Sequence, residues 1–120
     1  MSRHDKQKEA RIMETLARLE QVILERRQCD PETSYVANLK QQGRPVMARK
    51  LGEEAVEAVV AALSGSDEDL VGEAADVLFH LMALLADRGI AFADVIAEIE
   101  RREGISGLEE KANRETSNAD

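Results

Sequence analysis

The segment from Lys50 to His80 constrains the fold more than any other part of the chain, because it contains two helix-forming runs joined by a short turn sequence. Both runs are rich in Ala, Val and Leu, and their charged residues recur three and four positions apart, as on one face of a helix. The first helix is predicted to end at Gly65, and Ser66 with Asp69 predicts a capping box in which Asp replaces the usual Glu. We therefore expect two antiparallel neighbouring helices.

Helices are also predicted on both sides of this pair. The first covers residues 6–27, where apolar residues at helical spacing alternate with charges. Asp30 and Pro31 are interpreted as the N-cap and first residue of a second helix that ends at Gly43, and Pro45 opens the third. The apolar residues that define the first helix are Ile12, Leu16, Leu19 and Ile23.

The composition favours helices over sheets throughout the chain. Only three residues are aromatic and two are Pro, while 43% of the chain is apolar. A fifth helix is predicted for AFADVIAEIERR and ends at Gly104 and Gly107. The predicted fold class is all-α, a bundle of four to five helices, with a single domain over residues 1–108 and a polar tail over 109–120 that we expect to fray.

Charge and cysteine content exclude several classes of function. A net charge of −8 with so few aromatic residues argues against nucleic-acid binding. Cys29 is the only cysteine, which excludes an internal disulfide or a cysteine-based zinc site. The first ten residues contain no apolar signal-peptide core, and no apolar run approaches the ~20 residues that span a bilayer. We expect a cytoplasmic protein that does not bind membranes.

The acidic residues of the helical pair suggest a metal site. Glu54 and Glu57 share a face of the third helix, and Glu73 and Asp76 share a face of the fourth. Folding at the turn would bring these four carboxylates to a similar height, where their mutual repulsion would favour a divalent cation. All-oxygen ligands suit Mg²⁺, with Mn²⁺ as an alternative, and Mg²⁺ commonly shares its coordination with substrate phosphates. The competing interpretation is that both acidic faces are simply solvated.

A di-iron centre is excluded by spacing. Di-iron bundles use Glu-x-x-His on two helices, whereas His80 follows Asp76 by four positions and Glu73 by seven. We therefore interpret His80 as a histidine at the edge of the core that hydrogen-bonds a neighbour, with substrate contact as the alternative.

Three blocks of the sequence resemble a known family in their order and content. The carboxylate motif is similar to that of MazG-type all-α nucleotide pyrophosphohydrolases, with EEAVE at 53–57 and EAAD at 73–76. The wider blocks resemble the phosphoribosyl-ATP pyrophosphatase family of histidine biosynthesis, in its stand-alone form. These blocks are SYVANL at 34–39, KLGEEAVEAV at 50–59 and EAADVLFHLMALLADRGI at 73–90.

The resemblance implies hydrolysis of phosphoribosyl-ATP to phosphoribosyl-AMP and pyrophosphate. Metal ions on Glu54, Glu57, Glu73 and Asp76 would screen the phosphates and lower the pKa of the attacking water. The proton of that water would pass to one of these carboxylates or to Glu53, so the candidate catalytic residues are Glu53, Glu54 and Glu57.

Basic and polar residues near this motif are candidates for substrate binding. Lys50 lies one turn from the carboxylates and would contact a phosphate oxygen as a point charge. Lys40, Arg44 and Arg49 flank the start of the third helix, with a solvated surface role as the alternative. The candidate substrate-binding residues are Lys50, Lys40, Arg49, Ser34, Tyr35 and His80. For Ser34 and Tyr35 the alternatives are helix capping and core packing.

The resemblance also implies a homodimer. Helices one and four carry more apolar surface than one small bundle covers, notably Leu81, Met82, Leu84 and Leu85.

Two other functions would use the acidic residues of the helical pair. A MazG-type house-cleaning enzyme would hydrolyse free nucleoside triphosphates, and a non-enzymatic acidic helical module would bind a basic partner without needing Mg²⁺.

Overall fold

The computed structural model describes residues 2–103, 111 and 114–116. The described residues contain no β-strand, and five helices follow one another in the part up to residue 103. No helix among the described residues is long and apolar enough to cross a membrane. The helices are α1 (Arg3–Arg26), α2 (Tyr35–Gln42), α3 (Arg44–Ser64), α4 (Asp67–Asp87) and α5 (Phe92–Arg102).

The hairpin of α3 and α4 is the centre of the fold, as the sequence predicts. Ser66 caps α4: its hydroxyl accepts from the backbone N–H of Asp69, whose carboxylate accepts in return from the N–H of Ser66. Space in this turn favours glycine at position 65, since an added Cβ would lie only 3.0 Å from the carbonyl oxygen of Ala61. The connection is two residues long, so α3 and α4 pack as antiparallel neighbours.

The core lies where α1, α2 and α4 pack together with the start of α3. Its largest fully buried side chains are Ile23, Leu39 and Met47, one from each of the first three helices, and α4 adds Met82. Burying an aliphatic side chain of this size contributes about 2 kcal/mol. Met82 is only 3% exposed, so its predicted place on an exposed apolar surface is wrong.

Helix α2 begins four residues later than predicted. The N-cap is Ser34, whose hydroxyl accepts from the backbone N–H of Ala37, and Asp30 instead initiates a turn by accepting from the N–H groups of Glu32 and Ser34. The Asp30-Pro31 pair favours a turn as readily as a helix start. It forms a turn here because Ser34 provides the cap of α2. This late start makes Tyr35 the first residue of the helix.

A partly buried ion-pair cluster joins three parts of the first unit, which spans residues 1–90. Asp87, the last residue of α4, accepts from Arg27 after α1 at 3.2 Å and from Arg44, the first residue of α3, at 2.7 Å. Arg44 also donates to the backbone carbonyl of Asp87. The chain then leaves α4 through Gly89, whose φ of +70° favours glycine.

Helix α5 belongs to a second unit that begins at Ala91. Within it, Glu98 accepts hydrogen bonds from Arg101 and Arg102, which lie three and four positions further along the helix. The predicted helix end at Gly104 and Gly107 lies outside the described residues. So does most of the predicted polar tail, in which Lys111 and residues 114–116 are helical.

Candidate metal centre

Three of the predicted carboxylates come together on the hairpin. Glu54 and Glu57 lie one turn apart on α3, and Glu73 faces them from α4. Each residue offers one carboxylate oxygen, and these oxygens all lie within 4.8 Å of one another. The arrangement results from the short turn, which places the middle of α3 beside the first turns of α4.

Two oxygen atoms of this group are buried without a hydrogen-bond partner. They are Oε2 of Glu54 and Oε2 of Glu73. An unpaired buried carboxylate oxygen is costly, because it has lost water and gained no donor. A hard divalent cation would supply the missing positive partner, so the donor set fits Mg²⁺ or Mn²⁺.

The electrostatics of the group point the same way. Burial raises the pKa of Glu54, and the hydrogen bond and negative charge of Glu57 raise this pKa further. Burial likewise raises the pKa of Glu73, together with the charges of Glu57 and Asp76. The charges of Glu57 and Asp76 thus oppose the ionisation of Glu54 and Glu73. A cation in their midst would reverse this effect and favour the charged forms.

Asp76 lies beside this group rather than among the three clustered oxygens. Its side chain is exposed, one turn after Glu73 on α4, and its charge raises the pKa of both Glu54 and Glu73. Its charge therefore acts on the clustered group, and Asp76 remains a candidate for a further oxygen ligand. The four predicted ligands form a buried part and an exposed part of one acidic site.

Three rings, those of Tyr35, Phe79 and His80, form an aromatic cluster near the carboxylates. The rings of Tyr35 and Phe79 stack with centroids 6.0 Å apart, and the His80 ring meets both edge-on. The Tyr35 hydroxyl lies 3.0 Å from Nε2 of His80, whose Nδ1 lies 2.8 Å from the backbone carbonyl oxygen of Asp76. His80 is buried and hydrogen-bonded, which confirms the interpretation of this residue as a core-edge histidine.

Tyr35 is not a core residue. Its side chain is 52% exposed, which rules out the alternative of core packing. Burial of the remaining part raises the pKa of its phenol, and the charges of Glu54, Asp76 and Glu53 raise it further. The Tyr35 ring therefore lies at the border between the carboxylates and solvent.

The other predicted binding residues lie around the start of α3. Arg49 forms an exposed ion pair with Glu53 at 3.4 Å, and both line a shallow surface depression of about 660 Å³ that also contains Glu57. Lys50 is half-buried on the same helix, one turn before Glu54. The depression thus has basic and acidic sides.

Two candidates have structural roles that their positions explain. The Ser34 hydroxyl donates to the carbonyl oxygen of Arg26 and accepts from Ala37, and the residue is only 5% exposed. This confirms its alternative role as a helix cap. Lys40 is exposed in the last turn of α2, where its charge suits the negative end of the helix.

Two features of the site were not predicted from the sequence. The hydrogen bond from Tyr35 to His80 spans 45 positions, and no local periodicity predicts such a pair. The second is a cavity of about 420 Å³ at the end of the hairpin, where Val56 and Val60 lie beside Glu57 and Glu73. Its only signal in the sequence is the apolar spacing of 56, 60 and 63 along α3.

Fold and site together define an all-α protein with a carboxylate-lined candidate metal centre on a helical hairpin. The family described as phosphoribosyl-ATP pyrophosphohydrolase matches residues 16–103, which include every residue of this centre. The chain belongs to this family.

Three relatives named phosphoribosyl-ATP pyrophosphatase are similar to this chain over nearly their whole length. The phosphoribosyl-ATP pyrophosphatase of Erythrobacter litoralis is 60% identical over 102 residues, 85% of this chain and 98% of the relative. That of Rhizorhabdus wittichii is 61% identical over 100 residues, 83% and 94% of the two chains. That of Zymomonas mobilis is 55% identical over 104 residues, 87% and 97% of the two chains.

Proposed function

We propose that the protein hydrolyses phosphoribosyl-ATP to phosphoribosyl-AMP and pyrophosphate. Membership of the phosphoribosyl-ATP pyrophosphohydrolase family supports the substrate. The observation that carries the chemistry is the group of Glu54, Glu57 and Glu73, whose ligand oxygens lie within 4.8 Å of one another. Such a group suits metal-assisted attack on a phosphoanhydride.

The proposed cofactor is Mg²⁺, with Mn²⁺ as a substitute. Glu54, Glu57 and Glu73 would hold it, and Asp76 would complete the set from the exposed side. When bound, the cation would screen the phosphate charges and lower the pKa of the attacking water. The two unpaired buried oxygens, of Glu54 and Glu73, are the observation that supports its presence.

Glu53 is the proposed general base. Of the three candidate catalytic carboxylates it alone lies outside the clustered group, and its side chain is exposed beside Arg49. A carboxylate that does not ligate a cation keeps its lone pairs for a proton. Glu53 would take the proton of the attacking water as the bond between the α phosphorus and the bridging oxygen breaks and pyrophosphate leaves.

The basic residues at the start of α3 are proposed to bind the phosphates. Lys50 lies one helical turn before Glu54, which places its ammonium group within reach of a phosphate held at the carboxylates. Arg49 would exchange its weak surface pair with Glu53 for a phosphate oxygen. Lys40 is exposed at the end of α2 and would contact the substrate further from the reacting phosphorus.

We also propose that the working form is a homodimer. Six exposed apolar side chains lie along α3 and the start of α4, and five of them are more than half exposed. Val56 and Val60 border Glu57 in the same cavity. Exposed apolar surface of this kind commonly marks an interface. The five residues, here called the apolar stripe, are Val56, Val59, Val60, Leu63 and Val71.

Pyrophosphate release tests the proposal directly. The assay compares phosphoribosyl-ATP with ATP and dUTP, each with and without Mg²⁺. Magnesium-dependent turnover of phosphoribosyl-ATP alone is the expected result. Turnover of ATP or dUTP instead would indicate the house-cleaning reaction, which the same carboxylates would support. A folded protein that hydrolyses none of the three would contradict the enzymatic function.

A further inference from the structure

The hydrogen bonds of His80 determine the direction of its bond with Tyr35. Nδ1 of His80 lies 2.8 Å from the backbone carbonyl oxygen of Asp76, which can only accept, so Nδ1 carries a proton. In the neutral ring Nε2 then has a lone pair and no hydrogen. The Tyr35 hydroxyl, 3.0 Å away, must donate to that lone pair.

This direction leaves Tyr35 as a hydrogen-bond acceptor towards everything else. Its single hydroxyl proton is committed to His80, while the other lone pair of the oxygen remains available. His80 is 7% exposed and Tyr35 is 52% exposed, so a buried ring anchors a side chain that solvent reaches in part. Phe79 stacks on one side of Tyr35 and restricts the ring further.

The position of Tyr35 places this acceptor at the candidate site. The charges of Glu54, Asp76 and Glu53 are near enough to raise its pKa, after the effect of burial. All three neighbours are acceptors when ionised, and the Tyr35 oxygen, whose proton is directed at His80, is a further acceptor beside them. A ligand group that contacts Tyr35 must therefore bring its own proton.

We propose that His80 is a positioning residue that holds Tyr35 as an acceptor for a donor group on the nucleoside part of the substrate. Ribose hydroxyls and base amino groups both have the required chemistry. The inference rests on the proposed function for the identity of the substrate. The tautomer of His80 and the orientation of Tyr35 do not depend on it.

Two replacements of His80 separate positioning from packing. The amide of Gln reaches the place of Nε2 and its oxygen still accepts from Tyr35, whereas the shorter Asn reaches only the place of Nδ1 and keeps the bond to Asp76. We expect Tyr35→Phe and His80→Asn each to raise KM for phosphoribosyl-ATP about three- to tenfold, with kcat within about twofold. His80→Gln should restore most of the wild-type KM.

A double variant shows whether His80 acts through Tyr35. His80→Asn should add nothing to KM once Tyr35→Phe is present, because the two changes remove the same interaction. His4→Asn, at the exposed start of α1, is the matched control and should leave KM unchanged. If KM stays at the wild-type value in Tyr35→Phe, or if the Asn and Gln variants behave alike, the inference is wrong.

The two possible donors are distinguished by a 2′-deoxy substrate made from dATP. If the ribose 2′-hydroxyl is the donor, Tyr35→Phe raises KM for the normal substrate but not for the deoxy form. An equal effect on both substrates assigns another donor, such as a base amino group. Either result supports the inference.

The tautomer provides a test without turnover. The chain has only two histidines, so nitrogen NMR of the ring resolves His80 with His4→Asn as the assignment aid. We expect a ring that carries its proton on Nδ1, which faces the Asp76 carbonyl oxygen, and none on Nε2, which faces the Tyr35 hydroxyl. A ring protonated at Nε2 would overturn the inference even in an active enzyme. Absent turnover with Nδ1 protonated would refute the proposed function alone.

Discussion

The residue on which the site depends most is Glu57, although it is the most exposed of the three clustered carboxylates. Its charge and hydrogen bonding contribute to the raised pKa of both Glu54 and Glu73. Without a cation the three are in conflict, and with one they act together. A cation bound as proposed would therefore relieve a repulsion that destabilises the metal-free protein.

Replacing Glu57 by Gln separates its repulsion of Glu54 and Glu73 from its proposed role as a metal ligand. We expect pyrophosphate release to fall about 100-fold or more, because a ligand is lost. The melting temperature without Mg²⁺ should stay the same or rise, because a repulsive charge is removed. Activity and thermal melts of the variant are compared with those of Glu14→Gln, an exposed change on α1. Wild-type activity in Glu57→Gln would contradict the metal role.

Tyr35 reports on the same charges from the edge of the site. It is the only tyrosine, and the chain lacks tryptophan, so phenolate absorbance follows this residue alone. Burial and then the Glu54 charge raise its pKa above the ordinary value of about 10. Glu54→Gln should lower the midpoint of the absorbance titration, although burial keeps it above that value. An unchanged midpoint, with the fold checked by circular dichroism, would show that Glu54 does not act on Tyr35.

At the scale of the elements, the sequence predicted best where local chemistry acts alone. The turn between α3 and α4 was predicted correctly because Gly65, Ser66 and Asp69 end one helix and cap the next through local hydrogen bonds. The start of α2 was wrong because Asp30-Pro31 and Ser34 both offered a helix start. Ser34, which caps the helix, also donates a hydrogen bond to the carbonyl oxygen of Arg26 on α1, and no local sequence pattern predicts this tertiary contact.

The carboxylates show the same limit. Helical spacing predicted that Glu54, Glu57 and Glu73 would meet, because the turn length fixes the height of each helix against the other. Helical spacing did not predict that Asp76 would remain exposed. It also did not predict that Tyr35 and His80 would form a hydrogen-bonded pair beside Asp76. Those placements depend on how α2 packs against the hairpin. This packing is determined by the shapes of the side chains and cannot be predicted from helical periodicity.

Asp87 gives the packing of α1, α3 and α4 a dependence on pH. The hydrogen bond from Arg44, and then that from Arg27, lower its pKa, while burial opposes them. A lowered native pKa stabilises the fold above the unfolded value of about 3.9, and this stability is lost as the pH falls through the native pKa. Asp87→Asn should cost about 2 kcal/mol at neutral pH by leaving two arginines without a charged partner.

Urea unfolding at several pH values checks this prediction. The difference in unfolding free energy between wild type and Asp87→Asn should shrink as the pH falls below about 4. Glu100→Gln, on an exposed position of α5, is the control and should match wild type at neutral pH. A difference that does not depend on pH would mean that Asp87 acts through packing and not through its charge.

At the scale of the whole molecule, the apolar stripe, which is the proposed dimer interface, adjoins the candidate metal centre. Leu63 is 83% exposed and Val71 is 69% exposed, which is unfavourable for an isolated chain. Val56 and Val60 continue the stripe to the cavity that contains Glu57 and Glu73. A second copy that covers the stripe would also close this side of the carboxylate group and exclude water from it.

Val60→Asp is therefore expected to disrupt both assembly and activity. A charge in the middle of an apolar interface loses water without gaining a partner, so sedimentation should show monomers where wild type shows dimers. Activity should fall at least about tenfold if closure of the cavity depends on the second copy, and concentrating the variant should recover part of it. Ile99→Asp, an equally exposed apolar position on α5, should leave the dimer intact. A wild-type monomer with full activity would contradict the homodimer, and a dimeric Val60→Asp variant would place the interface elsewhere.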